Sequence, residues 1–165
     1  MTAIWKNFII LLNQTLEIYE ALLLLSRKKR QVLVEVKPQE LEQLTKQEEL
    51  LIIKAGQLET LRKAQTQEII TKLGLSPEQS QLATLIEHAD SQTAERLEEI
   101  SEEFTEIAAE LVELNELNEK LIKQSLDLVN YNINILSQNA AESTYAPKGQ
   151  PGVPGSGRSI LDTKA

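Results

Sequence analysis

The 165 residues contain no cysteine, which removes disulfides, thiol nucleophiles and cysteine-ligated metals from consideration. Histidine occurs once, as His88. Catalytic triads and most zinc sites need a histidine with partners at set spacing. His88 has only Glu87 and Asp90 close by and reads as a surface residue at a helix end. Di-metal helical bundles use paired Glu-x-x-His motifs; Leu85 stands three residues before His88, and there is no second histidine. No glycine-rich phosphate loop precedes a helix. The expectation is a protein without cofactor, metal or catalytic site, hence not an enzyme.

Aromatic residues make up only 4% of the chain, so leucine and isoleucine must fill any core. Long apolar runs are missing too: the longest are Phe8 to Leu12 and Ala21 to Leu25, far short of the roughly 20 residues of a membrane span. The N-terminus lacks the pattern of a signal peptide. Positive charge is in short supply, with 17 Lys and Arg against 25 Asp and Glu, a net charge of −8. Such a chain repels phosphate backbones and anionic lipids. These absences point to a cytoplasmic protein that binds no nucleic acid and does not insert into a membrane.

Glycine and proline are nearly absent before residue 139, where only Pro38, Gly56, Gly74 and Pro77 occur. The chain consists mainly of strong helix formers, and its periodicity makes them long helices. A first helix is expected over about 2–30. Its seam is Ile4, Phe8, Leu11, Thr15, Ile18, Leu22 and Leu25, widened by Leu12, Leu16, Tyr19 and Leu23. Steps of three and four mark a coiled-coil seam, and the width implies more than one neighbouring helix. Arg27-Lys28-Lys29-Arg30 reads as a solvated cationic helix end. The short β-branched stretch from Val32 to Val36 reads as more helix. Pro38, suited to a first turn, starts a second helix over 38–73 whose inner face holds Leu41, Leu44, Leu51, Ala55 and Leu58. Gly74 closes it. Ser76-Pro77-Glu78 opens a short helix over 76–88.

The clearest periodicity lies over 90–138. The seam runs Leu97, Ile100, Phe104, Ile107, Leu111, Leu114, Asn118, Leu121, Ser125, Leu128, Asn132, Ile135. A helix that long must pack along other long helices. Glutamate is dense from Glu95 to Glu119 and lies off the seam, as a solvated face would. Asn118, Ser125 and Asn132 interrupt only the C-terminal half. That half has two readings: internal packing with polar spots, or a seam left partly open for a partner helix, with Leu121, Ile122, Leu126, Leu128, Ile133 and Ile135 available. Beyond Asn139 come Pro147, Pro151, Pro154 and four glycines, the composition of a flexible tail. The expected organisation is an all-α bundle of long antiparallel, coiled-coil-like helices over 1–138, followed by a flexible tail over 139–165. The wide first stripe fits either an internal bundle or a homodimer seam.

Four stretches resemble the FlgN family of flagellar export chaperones: Leu41-x-x-Leu44-x-x-x-Glu48-Glu49-Leu50 with Leu58-Glu59 and Arg62; Leu114-Asn115-x-x-Asn118-x-x-Leu121-Ile122; Thr144-Tyr145-Ala146-Pro147-Lys148-Gly149-Gln150; and Ser159-Ile160-Leu161-Asp162. Ala146 stands where that family often has glycine. The resemblance implies a cytoplasmic chaperone of the flagellar type III export system that binds the hook–filament junction proteins FlgK and FlgL and delivers them unassembled to the gate protein FlhA. It further implies that Tyr145 docks on the gate and that Leu121, Leu128, Ile135, Ile160 and Leu161 bind cargo. The alternative from the residues alone is a coiled-coil adaptor that joins proteins.

Overall fold

The computed structural model describes residues 2–142, with side chains through 137. Among the described residues there are four α-helices and no strand: α1 Ala3–Val34, α2 Pro38–Leu73, α3 Leu82–Glu87 and α4 Ser91–Glu142, with a 3-10 turn at Pro77–Gln79 before α3. The fold is all-α, as the periodicity predicts. The chain divides into two compact units, Met1–Ser125 and Leu126–Ala165. The expected tail from Ser143 onward lies outside the described residues.

Within the first unit the contacts fix the directions of the long helices. Asn13 of α1 meets Arg96 of α4, Tyr19 meets Phe104, and Ser26 meets Asn115 and Asn118. Both partners advance together, so α1 and α4 run parallel. Lys29 near the end of α1 pairs with Glu48 early in α2, while Ile69 and Ile70 late in α2 share a cluster with Trp5 and Phe8. Hence α2 runs antiparallel to α1, and therefore to α4. The three long helices, with a short turn between α1 and α2 and the segment carrying α3 between α2 and α4, take an up-down-up arrangement.

The core lies where α1 begins, α2 ends and α4 begins. Trp5, Phe8, Ile9 and Leu12 pack with Ile69 and Ile70, with Leu97 and Ile100, and with Leu85 from α3. The Trp5 and Phe8 rings meet edge to face at 6.4 Å. The short α3 buries Leu85 in this core. Length and a mean hydropathy of 1.6 would let α1 cross a membrane. In the bundle, its Phe8, Leu11, Leu16, Leu22 and Leu25 are buried against protein. The helix continues through the basic run to Val34 because Val32 has a buried place. Arg27 pairs with Glu110 and Lys29 with Glu48. The Arg27 pair is exposed, and such pairs contribute about 0–1 kcal/mol.

The helix ends follow local chemistry. Ser76 and Gln79 form a capping box at the 3-10 turn. At the start of α4, Asp90 accepts from the Thr93 hydroxyl at 2.7 Å and from its backbone N–H at 3.2 Å. The Thr93 hydroxyl, with help from that amide, holds the Asp90 carboxyl below its ordinary value.

α1 and α2 close with the same motif. Leu75 N–H reaches back to the Ile70 carbonyl and Gly74 N–H to Thr71; Lys37 N–H reaches Val32 and Val36 N–H reaches Leu33. This is the Schellman pattern, which requires one left-handed residue. Gly74 adopts φ 70° without strain, but Val36 is held at φ 54°, where a β-branched side chain is disfavoured by about 1–2 kcal/mol. Val36 is 79% exposed, so its side chain returns little packing energy. Val36→Gly is therefore expected to raise stability by about 1 kcal/mol and Gly74→Ala to lower it by a similar amount, as read from urea midpoints at constant slope. A destabilised Val36→Gly variant would show that the strain is not there.

Candidate functional site

The α4 seam changes character along its length. Leu97, Ile100 and Leu114 are buried, and Phe104, Ile107, Leu111 and Leu121 are half-buried. From Ile122 through Ser137 every residue is exposed. The exposed residues include Leu126, Leu128, Val129, Tyr131, Ile133, Ile135 and Leu136. So dense an exposed apolar surface on one helix makes this stretch the candidate interaction site. Its charge changes as well. The dense glutamates stop at Glu119, the next being Glu142, and between Gln124 and Ser137 the sole charged residue is Asp127.

The polar seam residues divide accordingly. Asn118 is 3% exposed. Its Nδ2 donates to the Ser26 carbonyl at 3.0 Å and to the Ser26 hydroxyl at 3.2 Å, and that hydroxyl donates to Asn115 Oδ1 at 3.0 Å. One buried asparagine can set helix register, and here it sets α4 against α1. Its own Oδ1 is buried without a hydrogen-bond partner, which reduces the net gain. Ser125 and Asn132 occupy the same heptad position one and two repeats later, and both are exposed. Asn118 is thus a structural contact, while Ser125 and Asn132 belong to the open surface.

The residues singled out as cargo contacts separate in the same way. Leu121 is half-buried, Leu128 is 61% exposed and Ile135 is 37% exposed. Tyr145, Ile160 and Leu161 lie outside the described residues. Leu126 and Ile133, expected on a partly open seam, are exposed, while Val129, Tyr131 and Leu136 were missed because they sit beside it. Their signal was the apolar content of the stretch, not its spacing.

The first unit also holds a cleft of about 410 Å³ between α1, α2 and α4. Tyr19 and Phe104, 4.6 Å apart, form part of its wall. At its edge Arg62 Nε donates to Glu59 at 2.6 Å, and this bond holds the Glu59 carboxyl below and the Arg62 guanidinium above their ordinary values. The acid and base of the cleft are satisfied by each other. His88 is exposed, with Nδ1 2.9 Å from the Thr84 carbonyl oxygen. Among the described residues no group of three His, Cys, Asp or Glu side chains could hold a metal ion.

The buried and open asparagines make opposite predictions. Asn118→Ala should lower stability by about 1–3 kcal/mol, while Asn132→Ala should change it by less than about 0.5 kcal/mol. Chemical denaturation of the two variants checks this, and equal losses would contradict the assignment.

A family model described as FlgN protein matches residues 1–152. The matched span covers all four helices and reaches past Tyr145, stopping short of Ile160 and Leu161. No curated protein and no solved structure matches the chain.

Proposed function

Since the chain belongs to the FlgN family of flagellar export chaperones, we propose that it acts in the cytoplasm on the hook–filament junction proteins FlgK and FlgL and delivers them to the export gate protein FlhA. The observation that carries this reading is the apolar surface of α4 from Leu126 to Leu136, where Asp127 is the sole charge. An exported subunit with an amphipathic assembly helix needs that helix covered until export. A second helix face of matching chemistry covers it without chemistry on the subunit.

In this reading Leu121, Leu128 and Ile135 contact cargo, with Ile160 and Leu161 adding to the grip. Tyr145 docks on the gate. Separating the two tasks along the chain would let the gate engage while cargo is still held.

Pull-down of purified FlgK and FlgL by the full chain is expected to succeed. Tyr145→Ala should weaken FlhA binding by about tenfold, a loss within the range of an aromatic anchor, and leave helicity and cargo binding intact. Retention of neither junction protein would favour the coiled-coil adaptor. Unchanged FlhA binding by the variant would remove the role of Tyr145.

A further inference from the structure

The exposed part of α4 carries an apolar arc too wide for one neighbour. At about 100° per residue, Asn132 and Ser125 mark a midline. Leu128, Ile135 and Tyr131 lie on one flank of it, and Leu136, Val129, Ile133 and Leu126 on the other. The arc from Tyr131 to Leu126 spans roughly 220°. Asn130 and Asn134 fall on the opposite, polar side.

α1 has an arc of the same design. With Thr15 as midline, its buried positions run from Val32 on one side to Ile9 on the other, again roughly 220°. Two helices cover it. On one flank Lys29 pairs with Glu48 of α2. On the other, Tyr19 stacks on Phe104 and Arg27 pairs with Glu110 of α4. In this sequence a helix with such an arc is buried by two helices.

From this we infer that the partner of the 126–137 surface supplies two packed helices, one against each flank, uncharged where they meet it. The inference rests on the cargo reading above and specifies the shape of the cargo. Three observations support it. The heptad phase buried in the first half of α4 recurs here, as Asn118, Ser125 and Asn132 and as Leu121, Leu128 and Ile135 are each seven apart. Asp127 is the sole charge from Gln124 to Ser137, so an ionic partner would find no complement. A two-fold pair of this chain would bring one further copy of the helix, enough for one flank only. Each midline position then faces a small polar group on the partner, as Asn118 faces Ser26.

The test titrates purified FlgK into the full chain by calorimetry, with FlgL as a second titrant. Leu128→Glu with Ile135→Glu alters one flank, Val129→Glu with Leu136→Glu the other, and Asn130→Glu with Asn134→Glu the polar side. Each flank variant should lose about tenfold or more in affinity, as buried interface anchors do, and the polar-side variant less than about twofold. All substituted side chains are exposed, so circular dichroism should show unchanged helicity. Sensitivity of one flank alone overturns the two-helix partner while leaving the chaperone reading in place. No binding of either protein to the unaltered chain overturns both. Self-association of the unaltered chain that both flank variants abolish, read by sedimentation equilibrium, makes a second copy the occupant and overturns the inference.

Discussion

The hydrogen bonds from Asn118 to Ser26 set the register of the last helix against the first, and the functional surface depends on that register. α1 ends at Val34, about two turns after Ser26, whereas α4 continues to Glu142, about seven turns after Asn118. Sliding the pair by one or two heptads would place Ser125 or Asn132 against Ser26 and change which leucines are covered. The polar contact is a weak source of stability, with Asn118 Oδ1 left unpaired. Its value is selective, because a buried amide tolerates only the register that gives it a partner.

Burial and charge are divided along α4 in a related way. Its first half buries Leu97, Ile100 and Leu114 and carries the glutamates on its outer side, where repulsion from other acidic surfaces favours solubility. Its second half has almost no charge and a wide apolar arc. A surface of that kind is costly to leave in water, and the cost makes a covering partner favourable. Under the proposed function that partner is the exported subunit. The same weakness of packing that leaves the surface open would allow the partner to leave again.

Much of this was legible in the sequence, for identifiable reasons. Unbroken three–four spacing gave the long helices, Pro38 and Gly74 their limits, and the widened stripe of Leu12, Leu16 and Leu23 the two-sided burial of α1. The Val36 turn was not legible, since a valine at left-handed φ violates the local preference and is held there by the helices it joins. Nor could spacing separate Asn118 from Asn132. The two have the same residue type and heptad position, and they differ only in whether α1 lies opposite. On the flank formed by Leu126, Val129, Ile133 and Leu136, only Leu126 and Ile133 were expected; Val129 and Leu136 escaped because a seam follows one line along a helix, whereas a face spans more than half of it. Inner positions of α2 such as Glu48 and Arg62 also hid their roles, which depend on Lys29 and Glu59.

The central claim is that one half of α4 is covered by its own chain and the other is reserved for cargo. Amide hydrogen exchange along α4, in the free chain and with purified FlgK, tests it most directly. Strong protection is expected from Leu97 to Asn118 in both samples, with rapid exchange from Leu126 to Ser137 in the free chain that slows once FlgK is bound. Equal protection of both halves in the free chain, or new protection confined to the first half, would contradict it.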